Sequence, residues 1–200
     1  MINAAEKIVA DQGMRALTFT AVQLAAHQSN KSAATYHFGS REGLLEAVIT
    51  ARMAPVNARR QAMLDAVHAS DSPPTLQRAV EMLVLPLAEE TLGRPGSYYA
   101  RFLAQAALDP ELANLVQKHL MAESYRQTYD LLMSLSPLPE ELATLRTNYL
   151  VMFNMVALAA REPRERTEEE TTAIIDDLTS MLVAMIEAPS EPHRERGPRL

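Results

Sequence analysis

Asn30-Lys31-Ser32-Ala33-Ala34-Thr35-Tyr36-His37-Phe38-Gly39-Ser40-Arg41-Glu42-Gly43-Leu44-Leu45 decides how this chain is read. A short helix of small and polar residues starts near Ser29 or Asn30 and ends near His37. It stops at Gly39, where the missing Cβ permits a tight turn. Ser40 then caps a new helix whose apolar stripe is Leu44, Leu45, Val48 and Ile49. Small side chains at Ser32, Ala33 and Ala34 let the short helix approach another surface closely. Asn30, Lys31, Thr35, Tyr36 and His37 all carry hydrogen-bond donors. Such a helix suits the major groove of a duplex, where its N-terminal part meets base edges and its flanks meet phosphates. Arg41 opens the following helix, where the macrodipole disfavours a cation. A docked phosphate would reverse that penalty by accepting from the guanidinium and the free helix N–H groups together.

Upstream, Ile2–Gln12 reads as an amphipathic helix with Ala5, Ile8 and Val9 on one face, closed by Gly13. A second helix starts at Thr18 or Thr20, both good N-caps. With this context, Thr35 to Leu45 resembles the signature at the end of the recognition helix in the tetracycline-repressor family, and the resemblance covers residues 1–55. It implies an all-α protein with an N-terminal three-helix, helix-turn-helix DNA-binding head. Thr18 or Thr20 would cap the second helix and touch a phosphate. Lys31 and Ala33 would face bases, with Asn30 near the helix start. Thr35, Tyr36 and His37 would contact backbone or base edges. Arg41 stands where the family usually carries a phosphate-binding lysine, and Phe38 would tie the two helices together. Where the family has a glycine and an aliphatic residue between helices 2 and 3, this chain has His27-Gln28-Ser29.

Beyond the head, helical periodicity continues and strand-like alternation is absent, so the expectation is an all-α chain of about nine helices. The fourth helix is expected to continue, kinked, past Pro55. Asp71-Ser72-Pro73-Pro74, Gly93-Arg94-Pro95-Gly96 and Ser136-Pro137-Leu138-Pro139 are breaks. Thr167-Glu168-Glu169-Glu170 has the pattern of a capping box and opens the last helix. The division expected is a DNA-binding domain at 1–50, a helical ligand-binding and dimerisation domain at 51–187, and a disordered tail at 188–200. Tyr99, Phe102, Tyr125, Tyr129 and Met152 are the candidates to line a largely apolar cavity for a small organic molecule. The last two helices carry more apolar residues than one core stripe needs. A symmetric homodimer with Leu178, Met181, Leu182 or Met185 in or beside its interface is therefore expected.

Composition bounds the function. The net charge is −6, yet residues 1–53 hold five cations against four carboxylates, so the acidity belongs to the rest of the chain. There is no cysteine, which excludes disulfides and thiolate chemistry. The five histidines have no metal-ligand spacing, and no catalytic or phosphate-loop motif is present, so no cofactor and no enzymatic activity are expected. The most apolar run, Tyr149 to Ala160, is broken by Asn154 and is too short to span a bilayer; the expected location is cytoplasmic, with no membrane partner. The expected function is sequence-specific transcriptional regulation, as a repressor released from a palindromic operator in double-stranded DNA by a small molecule. The alternative is a helical small-molecule-binding protein or interaction bundle without a DNA role.

Overall fold

The computed structural model describes residues 1–27, 33–109, 112, 116–118 and 122–189, with backbone alone for 33–35. Among these residues there are nine α-helices and no strand. They are α1 (Ile2–Gln12), α2 (Phe19–Ala25), α3 (Ala33–Phe38), α4 (Arg41–His68), α5 (Leu76–Thr91), α6 (Tyr99–Leu108), α7 (Glu123–Leu135), α8 (Glu140–Arg161) and α9 (Glu168–Glu187). A 3-10 turn, Met14–Ala16, links α1 to α2, and residues 116–118 are also helical.

Local chemistry sets most helix ends. Gly13 (φ 87) and Gly39 (φ 68) close α1 and α3 with backbone that L side chains rarely adopt. The Thr18 hydroxyl accepts from the Ala21 N–H at 3.1 Å and thereby caps α2, while Thr20 lies inside the helix. Ser40 caps α4 by accepting from the Gly43 N–H at 3.1 Å. The capping box at α9 is complete: Thr167 Oγ1 accepts from Glu170 N at 3.1 Å and Glu170 Oε2 accepts from Thr167 N at 2.8 Å. His27, just after α2, has φ 52. A left-handed residue is what a glycine supplies without strain, so histidine takes this turn at a cost of about 1 kcal/mol.

Helix α4 runs unbroken through Pro55. The carbonyl left without its usual partner belongs to Ala51, which is exposed, so water can satisfy it. Pro86 inside α5 poses a harder problem, because the carbonyl it orphans belongs to Met82, which is fully buried. Arg60 of α4 solves it. Its Nε donates to the Met82 carbonyl at 3.0 Å and its Nη1 to Asn57 Oδ1 at 2.7 Å. The next carbonyl, Leu83, accepts from Asn154 Nδ2 of α8 at 3.3 Å. Arg60 lies under the Tyr125 ring at 5.7 Å, and burial lowers its pKa to about 10.

One apolar cluster runs from Ala5, Val9 and Leu17 through Leu45 and Ile49 to Phe102, Leu150 and Leu182. Polar anchors fix α1 to it. Arg52 of α4 grips Glu6 of α1 with both nitrogens, Nε to Oε1 at 2.6 Å and Nη2 to Oε2 at 3.0 Å, and Nη2 also donates to Asn3 Oδ1 at 2.8 Å. Gln105 of α6 donates to the Val9 carbonyl near the end of α1 at 2.8 Å. At the far end of α8, Glu162 accepts from Ser97 Oγ (2.7 Å), Ala100 N (2.8 Å) and Arg101 N (3.0 Å), so a carboxylate from the α8–α9 turn caps α6.

Both Glu6 and Arg52 are buried, so removing one leaves an uncompensated charge. Glu6→Ala should cost about 3–5 kcal/mol, read by urea denaturation, and pairing it with Arg52→Met should recover most of the loss.

Candidate nucleic-acid interface and ligand cavity

Helix α3 has six residues and is too short to hold itself in water, so its position depends on what it packs against. Phe38, half-buried, packs on the core beside α4, while Tyr36 is 86% exposed and His37 is exposed beside it, their rings edge to face at 5.4 Å. An aromatic ring left in water at the end of a packed helix is free to meet another surface. Leu24 of α2 is similarly bare, at 78% exposure, and the sequence reading did not single it out. Its only signal is an apolar residue two positions on from buried Val22, off the helix's buried face. Asn30 and Lys31 lie outside the described residues, and so do the side chains of Ala33 and Thr35.

Arg41 is the first residue of α4. Its Nη2 donates to the Met14 carbonyl at 2.8 Å and its Nε to the Leu17 carbonyl at 3.2 Å. Two backbone carbonyls therefore offset the macrodipole penalty at this helix start. Leu17 directly precedes Thr18, so the same contact brings the N-termini of α2 and α4 together. The Glu42 carboxyl is held below its usual pKa by its own backbone N–H and by the Ser40 hydroxyl.

In the body, the aromatic candidates separate. Tyr99 and Phe102 are fully buried and stack at 6.1 Å within the core. The Tyr99 hydroxyl finds no hydrogen-bond partner, and burial pushes its pKa up. Tyr125 and Met152 instead border a cavity of about 270 Å³ between α6, α7 and α8, together with Asn148, Val151 and Met155. Tyr129 packs against Tyr125 at 6.4 Å. Leu178 and Leu182 are buried within the chain, Met185 is half-buried, and Met181 is 49% exposed. On α8, Leu145, Tyr149, Met152, Phe153 and Val156 form an exposed apolar stripe at helical spacing.

Among the described residues no group of His, Asp and Glu is placed to hold a metal ion. No helix among them is long and apolar enough to cross a membrane.

Among the described residues the fold is all-α, with one long helix, α4, running from the short N-terminal helices to the later ones. A solved structure described as a TetR-family transcriptional regulator from Mesorhizobium loti MAFF303099 superposes with a TM-score of 0.54 at 13% identity, covering 92% of this chain and 93% of that one. At that identity the likeness is one of fold. No family model matches the sequence, and no curated protein matches it.

Two outcomes test these placements. Arg41→Ala removes two charge-assisted bonds and should lower stability by about 1.5–3 kcal/mol, seen as a lower thermal midpoint of the DNA-free protein. Tyr99→Phe deletes an orphaned buried hydroxyl and should leave stability unchanged or raise it by about 1 kcal/mol.

Proposed function

We propose that the chain is a sequence-specific DNA-binding transcriptional regulator that acts as a homodimer, a repressor released from a palindromic operator by a small organic molecule. The carrying observation is the exposed Tyr36–His37 end of α3, set beside the paired N-termini of α2 and α4. A helix end with bare donors, held beside two other helix N-termini, fits base contacts flanked by phosphate contacts. The TetR-like fold supports the same reading. In this reading Lys31 and Ala33 face bases, Asn30 and Thr35 flank them, and Thr18, Thr20 and Arg41 serve phosphates. Arg41 spends Nε and one Nη2 bond on carbonyls, and its other N–H groups serve the phosphate.

The head then corresponds to residues 1–50 and the ligand-binding, dimerising body to 51–187. The exposed stripe on α8, together with the exposed Met181 of α9, is the face to pair with its copy, since two such helices from each chain make a four-helix contact. The cavity bordered by Tyr125 and Met152 is the ligand site. A ligand that binds one head-to-head spacing better than another shifts the dimer away from the operator by that difference in affinity.

The direct experiment is selection from random duplexes, which should enrich a palindrome with half-sites one helical turn apart. Tyr36→Ala, chosen because its exposed side chain contributes little to folding, should weaken operator binding about tenfold or more with an unchanged thermal midpoint. Lys31→Ala should cost about 1–3 kcal/mol and relax preference at one position per half-site. Absence of any enriched palindrome, or unaltered affinity in both variants, would refute the reading. In sedimentation, the wild type should be a dimer and Val156→Glu a monomer.

A further inference from the structure

A cleft of about 740 Å³ opens where the head meets the body, and five cations line it: Lys7 from α1, Arg94 from the α5–α6 turn, Arg101 from α6, and Arg164 and Arg166 from the α8–α9 turn. Three carboxylates share the lining, Asp11, Glu162 and Glu165. Two of them are already spent. Asp11 is shared by Lys7 at 2.8 Å and Arg101 at 3.1 Å. Glu162 accepts from the Ser97 hydroxyl and from the Ala100 and Arg101 N–H groups, with the Arg101 guanidinium 3.7 Å away. Its carboxylate thus occupies the α6 N-terminus, so what the cleft offers a ligand is side-chain charge. Arg94 is held by Glu90, at 2.9 Å, which lies outside the lining, and Arg166 donates to the Arg161 carbonyl.

Tyr98 completes the wall. Lys7 and Arg101 sit over its ring, at 4.6 and 5.1 Å from the centroid. The ring holds two cations at one edge of the cleft while the α8–α9 turn brings two more. Within the lining, cations therefore exceed carboxylates by two, which gives the cleft a positive balance for an anion to meet.

We propose that this cleft binds a small, multiply charged anion, a polyphosphate or polycarboxylate, which bridges α1 of the head to the α5–α6 and α8–α9 turns of the body. The site is separate from the cavity beside Tyr125 and does not depend on the DNA-binding reading. An occupant adds bonds across the head–body junction, so it stabilises the folded chain by mass action.

The experiment is isothermal titration of the full chain, free of DNA, with inorganic pyrophosphate in one arm and citrate in the other, at fixed ionic strength. One saturable equivalent of at least one anion is expected, and the arm that binds identifies the phosphate or carboxylate source. Arg164→Ala combined with Arg166→Ala should weaken it about tenfold or more, with the chain still folded by circular dichroism. Arg94→Gln should weaken it without touching the α8–α9 turn. Arg59→Ala, an exposed cation outside the lining, should leave it unchanged. No saturable binding of either anion overturns the proposal. So does an affinity that survives both the paired variant and Arg94→Gln, or one that falls equally in Arg59→Ala.

Discussion

The bidentate pair between Arg52 and Glu6 governs how the rest of the chain is arranged. Arg52 sits on α4 three residues before Pro55. A buried pair gains little over well-packed apolar side chains, but its geometry is demanding. It admits one register of α1 against α4. Because α1 also accepts at its Val9 carbonyl from Gln105 of α6, fixing α1 fixes α4 and α6 relative to each other. Helix α1 is thus packed onto both α4 and α6, and a shift of α6 would be felt at α1.

Glu162 extends that logic to the other end of the chain. Its carboxylate reaches 61 to 65 residues back to the first turn of α6. Helix α6 is consequently held at its start by the α8–α9 turn and along its length by α1. The cleft lined by Lys7, Arg101 and Arg164 forms at this junction because three polar segments converge there around Tyr98. The apolar cavity bordered by Tyr125 lies elsewhere, between α6, α7 and α8. The two sites differ in chemistry because one lies at a polar helix junction and the other between helix faces.

Arg60 shows what a proline inside a buried helix demands. Pro86 removes an N–H, the Met82 carbonyl has no water within reach, and a guanidinium from a neighbouring helix supplies the missing donor. Asn154 serves the adjacent carbonyl. Three helices are therefore pinned at one level of the body by the needs of two backbone oxygens. Asn154 had read from the sequence only as an interruption of an apolar run, and its purpose lies 71 residues away.

What the amino-acid order determined is what acts over three or four residues. The caps at Thr18, Ser40 and Thr167, the stops at Gly13 and Gly39, and the apolar stripes were legible because each depends on an i to i+3 or i+4 relation. In the Tyr36–His37–Phe38 run only the family resemblance separated Phe38 from its neighbours, because periodicity over so short a helix does not. Partners far along the chain were decided by the tertiary structure alone. Arg41 opens α4 as the sequence implies, but the carbonyls it holds are 24 and 27 residues upstream. Periodicity marks Tyr99, Phe102, Tyr125 and Met152 alike as apolar-face residues. Which are sealed in the core and which border a cavity depends on how closely neighbouring helices approach, and that distance is a property of packed faces that no single helix encodes.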